Sequence, residues 1–249
     1  MTRTKGLTAT ALKTIAIAAM TADHVAWLLF PGYDRHALPL ILHLIRRLTC
    51  PVMCFFVAEG YHYTHDVKKY TRRLLLLALV SHFAYVLASA DFVDAWSFLP
   101  FSRGSVLNQT GVVWSLAGGL IMLRINGSRW RTPAKVLGIL AVAAATFPAD
   151  WSCIAALCIL SIGANRGHAK KQIAWCLFYV GLYALVYCLA LDVTYGLLQL
   201  GVALAIPLLK MYNGRLGDHP RAVRWMKTLF YVYYPLHLAI LGLIGLAMR

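Results

Sequence analysis

Asp23 and His24 stand side by side within a long apolar run, "LKTIAIAAMTADHVAWLLF". Lys13 precedes His24 by eleven residues in the same run. On an α-helix, eleven residues bring two side chains within about 20° of one face, about 16 Å apart along the axis. Such a stripe could hold the anionic end of a long ligand at Lys13 and present its reactive end to His24. An imidazole in a cavity can serve as a general base. It can equally relay protons in a transporter. Asp23 points about 100° away from His24, so it is better placed to pair with Arg46 or Arg47, or to receive a cationic substrate.

Other polar groups lie where a membrane span has little use for them. The second apolar run carries His43, Arg46, Arg47 and Glu59, and the third carries His82. The fourth begins with Asn108 and Gln109, and the last holds Tyr233, Tyr234 and His237. Ionisable groups within spans are costly and mark function or a buried pair. The matched depths of Asp23, His24, Arg46, Arg47, His82 and His237 predict one interior polar cavity. Each also has a plainer reading. Lys13 can snorkel to a helix end, and Asp23 with Arg46 can merely fix helix register. His82 reads as a satisfied core histidine, and His43 is expected to face the outer interface. Glu59 can belong to a polar helix end, and the tyrosines to a packing face. Pro235 removes one backbone hydrogen bond from the last span.

The elements that must position these groups are long and apolar. The chain has 249 residues, 60% hydrophobic and 13% charged, where soluble domains sit nearer half and a quarter. Nine spans are expected, at about 8–30, 37–63, 71–90, 105–124, 134–148, 150–165, 171–191, 194–210 and 228–248. Loops alternate in charge. One set holds Arg3 and Lys5, Lys68 to Arg73, Arg124 to Lys135, Arg166 to Lys171, and Lys210 to Lys227. The other holds Arg35, Arg103 and the terminal Arg249, with Asp34, Asp91, Asp94, Asp150 and Asp192. The positive-inside rule then places the N-terminus in the cytoplasm and the C-terminus outside.

The net charge of +15 reads as topology signal and contact with anionic lipid, and nucleic acid is not expected as a partner. The six cysteines all lie in apolar runs; Cys50 and Cys54 are one turn apart, but no tetrahedral set completes a metal site. The first apolar run is too long for a signal-peptide core and reads as a first span. The expected fold is all-α: a polytopic membrane protein of about nine helices in one bundle around a polar cavity, a single domain over residues 1–249.

Four segments carry a family resemblance: "LKTIAIAAMTADHVAWLLF", "RRLTCPVMCFFVAEGYHYT", "YTRRLLLLALVSHFAYVLA" and "LFYVYYPLHLAIL". Together they resemble the TraX family, integral membrane proteins named for the N-acetylase of conjugative F-type pilin. That family is in turn similar to the membrane acyltransferases often called acyltransferase-3. Those carry a basic residue, ten intervening residues and a catalytic histidine in the first span. Lys13 and His24 have that spacing, with lysine where arginine is usual.

The resemblance implies transfer of an acetyl group from cytoplasmic acetyl-CoA, without a metal, in the bacterial inner membrane. It implies His24 as general base, with Asp23 and His237 beside it. Lys13, Arg46, Arg47, Arg72 and Arg73 are then expected at the acyl donor, and Glu59, His82, Asn108 and Tyr234 at the acceptor. The acceptor it implies is the N-terminal amine of a pilin subunit; another protein amine, a glycan or a lipid hydroxyl stays open. A transporter that uses the same buried groups is the competing reading.

Overall fold

In the computed structural model, residues 6–30, 32, 34–89, 91–102 and 106–248 are described. Among the basic residues used for topology, Arg3, Lys5, Arg103 and Arg249 lie outside them, as does the side chain of Lys227. The described residues are helical, with two isolated β-bridges and no strand. The helices are α1 (Ala9–Leu29), α2 (Ala37–Arg46), α3 (Thr49–Tyr63), α4 (Val67–Ala88), α5 (Val112–Asn126) and α6 (Thr132–Thr146). They continue with α7 (Ser152–Ala164), α8 (Ala169–Ala190), α9 (Val193–Leu198), α10 (Ala205–Lys210) and α11 (Pro220–Ala247). A 3₁₀ stretch, Gln199–Leu204, joins α9 to α10.

Six segments are long and apolar enough to cross a membrane: Ala9–Leu29, Ala37–Tyr63, Val67–Ala88, Ala169–Ala190, Val193–Lys210 and Thr228–Ala247. The other three expected spans are the shorter apolar helices α5, α6 and α7, of 15, 15 and 13 residues. At 1.5 Å per residue they reach about 20–23 Å, short of the ~30 Å hydrocarbon core. So six of the nine expected spans have spanning length among the described residues.

Large apolar side chains face outward, including Leu76, Leu79, Val80 and Phe83 on α4 and Leu182, Leu185, Val186 and Leu189 on α8. Charged and polar groups such as Asp23, His43, Arg47 and Gln199 are buried. That inversion suits lipid as the surrounding solvent. The chain is a multi-pass helical membrane protein.

It divides into two compact units. The first comprises Met1–Met53 and Val180–Tyr234; the second comprises Cys54–Tyr179 and Pro235–Arg249. In the first unit, Thr8 caps α1 by accepting from the Ala11 N–H, and the 211–216 loop satisfies further groups at that end. Ala9 donates to the Arg215 carbonyl and the Thr10 hydroxyl to that of Leu216, at 2.9 and 2.7 Å. α2 stops at Arg46 and α3 restarts at Thr49, with Pro51 in the first turn, where its missing N–H is harmless. The break leaves Arg47 buried between the two helices.

In the second unit, α5 packs against α4, α6 and α7 and is buried on nearly every side. Small residues allow that approach. A Cβ on Gly119 would lie 2.7 Å from Ile159 Cβ, which its own helix holds in place. Gly119→Ala is therefore expected to lower stability by about 1–3 kcal/mol. Gly181, with nothing within 4 Å of its would-be Cβ, is the control. Gly181→Ala is expected to be neutral or to stabilise by about 0.5–1 kcal/mol, both read from thermal unfolding in detergent.

Candidate functional site

In the first unit, the buried face of α1 runs through Leu12, Ala16, Met20 and Asp23. Lys13 and His24 flank that face, and both are half-buried. Beside them Thr21 Oγ1 donates to the Ile17 carbonyl at 2.9 Å. Its only hydrogen is thereby used, so in the 2.7 Å contact with Tyr233 the tyrosine hydroxyl must be the donor.

Asp23 is fully buried, and it is the centre of a polar cluster. Its Oδ1 lies 2.7 Å from Nδ1 of His43, and its Oδ2 lies 3.2 Å from Nη1 of Arg46. The expected pairing with Arg46 is thus present. The expectation for His43 is overturned: it does not face an outer interface but is 0% exposed and bound to Asp23. A carboxylate only accepts, so Nδ1 carries a proton and Nε2 is the ring nitrogen left over. That Nε2 has no hydrogen-bond partner among the described residues, and neither does Oε1 of Gln199. An unsatisfied buried polar group costs about 1–3 kcal/mol.

Trp27 and Tyr195 wall the imidazole, with ring centroids 4.6 and 5.3 Å from it. Gln199 lies one turn beyond Tyr195 and donates to its carbonyl at 3.2 Å. The buried Arg47 has Arg46, Asp23, Tyr183 and Tyr187 as its electrostatic neighbours. It also packs against Gly201 of the 3₁₀ stretch, where a Cβ would lie 3.3 Å from Arg47 Cγ.

The loops at this end of the first unit are tied together. Arg35 pairs with Asp192 at 2.7 Å, and the Tyr195 hydroxyl donates to the Asp34 carbonyl at 2.8 Å. Asp192 caps α9, and the Tyr195 N–H with the Arg35 guanidinium hold its carboxyl below the usual range. Asp34 is lowered likewise, by the backbone N–H and then the ring of His36. A lowered carboxyl contributes stability above its unfolded value, about 3.9, that is lost as pH falls through the folded one. Proteolysis of this loop pair is expected to accelerate below pH ~4, and in Asp192→Asn that acceleration is expected to weaken.

The second unit holds the other candidates. Glu59 is bound by Arg166, Nε to Oε1 at 3.1 Å and Nη2 to Oε2 at 3.4 Å, and Arg166 also lies over the Tyr63 ring. His82 engages the Phe98 carbonyl through Nε2 at 2.9 Å, the arrangement of a satisfied structural histidine. Gln109 is buried and locks the loop before α5: its Oε1 accepts from the Phe101 N–H at 2.9 Å. Asn108 takes a left-handed turn, with φ 56°. His237 is buried, and Arg72 and Arg73 are exposed near the start of α4. Tyr234, in the first unit, is buried. Glu59, His82 and Gln109 thus have structural partners, whereas Nε2 of His43 has none among the described residues. The six cysteines are free, and no metal-holding group of His, Cys, Asp or Glu occurs among the described residues.

These features define a polytopic helical membrane protein whose first unit buries an acid–imidazole–guanidinium cluster. The chain belongs to the TraX family, described as TraX protein, which matches residues 8–245. It is 31% identical over 252 residues to the probable fimbrial assembly protein FimC, serogroup H1, of Dichelobacter nodosus, covering 97% of each chain. No solved structure matches it.

Proposed function

We propose that the protein is an acetyltransferase of the cytoplasmic membrane, with its N-terminus in the cytoplasm, moving an acetyl group from acetyl-CoA to a membrane-associated acceptor. The observation that carries this reading is the Lys13–His24 stripe of α1 in a chain of the TraX family. The similar fimbrial assembly protein supports an amine of a pilin-like subunit as acceptor.

In this reading the phosphates of acetyl-CoA meet Lys13, and the pantetheine arm reaches inward along α1. His24 takes a proton from the acceptor as its nucleophilic atom attacks the thioester carbonyl. The new bond to carbon forms, the C–S bond breaks, and CoA leaves as a thiolate. Arg46 or Arg47 stabilises the oxyanion. The buried groups would also suit a transporter, and one assay separates the two. Membrane vesicles containing the protein are mixed with radiolabelled acetyl-CoA. Label passing into the membrane fraction with release of CoA is the expected result. Solute flux with intact thioester would overturn the reading.

A further inference from the structure

We infer that His43, oriented by Asp23, is a second base of the site and takes the first of two protons that an ammonium must lose to become an amide. The inference rests on the acetyl-transfer reading and deepens it. An α-amino group is largely an ammonium at neutral pH, since its pKa is about 7.7–8.0. It must shed one proton before its nitrogen has a lone pair with which to attack. After attack the nitrogen is again cationic and sheds a second. One of the two protons returns to the departing CoA thiolate, and the other leaves to water. A single imidazole cannot hold both protons.

The structure holds a second imidazole in the right state. Asp23 Oδ1, 2.7 Å from Nδ1, keeps the proton there and leaves Nε2 as the basic atom. That atom is wholly buried and makes no hydrogen bond, an arrangement that a guest N–H would complete. The walls suit an ammonium. The Trp27 and Tyr195 ring centroids lie 6.0 Å apart, tilted by 44°, and aromatic faces attract cations.

The charged and titratable groups around His43 are Asp23 from α1, Arg46 and Arg47 at the end of its own helix, and Tyr195 from α9. Tyr183 and Tyr187 of α8 stand near Arg47.

The test is acetyl transfer from radiolabelled acetyl-CoA into the protein of membrane vesicles, followed from pH 6.5 to 9.5. His43→Phe keeps an aromatic ring in the site and removes the base. It is expected to lose tenfold or more at pH 7 and to recover toward wild type above pH 9, where the acceptor amine is already neutral. His24→Ala is expected to stay inactive throughout. A His43→Phe enzyme as active as wild type at pH 7, or one equally impaired at every pH, overturns the inference and leaves the acetyl-transfer reading standing. A wild type that transfers no label overturns both. Should His43→Phe fail to insert, the nitrogen NMR signals of His43 in the wild type decide. A neutral ring protonated at Nδ1 is expected; a proton on Nε2 at neutral pH overturns the inference.

Discussion

His24→Ala is expected to lower acetyl transfer by at least about 10²- to 10⁴-fold, the range a positioned proton acceptor supplies. Insertion and thermal stability should change little. The ring is only half-buried, and alanine is the best helix former, so α1 loses neither its buried face nor its propensity. The loss should fall on kcat. A phosphate contact such as Lys13 should behave in the opposite way. Lys13→Ala should raise KM for acetyl-CoA, and Lys13→Arg, with a fork that grips phosphate, should restore or improve it. Label transfer and thermal unfolding measured on the same preparations separate the two roles. Full activity in His24→Ala would remove the proposed mechanism.

Asp23 stood out in the sequence as a carboxylate in an apolar run, and Arg46 was within reach as its counter-ion. His43 was misplaced because a lone imidazole in a span carries no mark of the direction it faces. A signal for it did exist. α1 and α2 pack against each other, both rising 1.5 Å per residue. Residues 23 and 43 are nearly equally far from the facing ends of these helices, Leu29 and Ala37, so they meet at the same level. Ala16 and Thr49, which also hydrogen-bond across this hairpin, have nearly the same sum of positions.

The lengths of α5, α6 and α7 were harder to see, because an apolar window has no memory of where a helix starts. The fourth span was expected from residue 105, but Asn108 takes a left-handed turn and Gly111 caps the helix. The 3₁₀ stretch was hidden too: "QLGVAL" is apolar in any helical form, and only its packing against Leu44 and Arg47 distinguishes it. The partners of Glu59, His82 and Gln109 come from segments far along the chain or from loops, where side-chain type alone gives no address.

Asp23→Ala is expected to be the most damaging single change to stability, at about 3–5 kcal/mol, because it takes the acceptor from the Nδ1–H of His43 and a carboxylate from beside Arg46. Asp23→Asn should cost less, since its amide oxygen still accepts from Nδ1 while the charge beside Arg46 is lost. The informative member of the series replaces the whole cluster, Asp23→Leu with His43→Leu and Arg46→Met. Buried ion pairs exchanged for well-packed apolar groups are often neutral or stabilising by about 1–4 kcal/mol, because the desolvation of the charges is avoided. The triple variant should therefore melt above Asp23→Ala, short of wild type by what the buried Arg47 loses with Asp23. If the cluster serves only to set helix register, that protein should also keep its activity. If it serves to move protons, it should be well folded and inactive. Thermal unfolding and label transfer on this one variant decide between the two, since stability and chemistry here call for opposite residues in the same place.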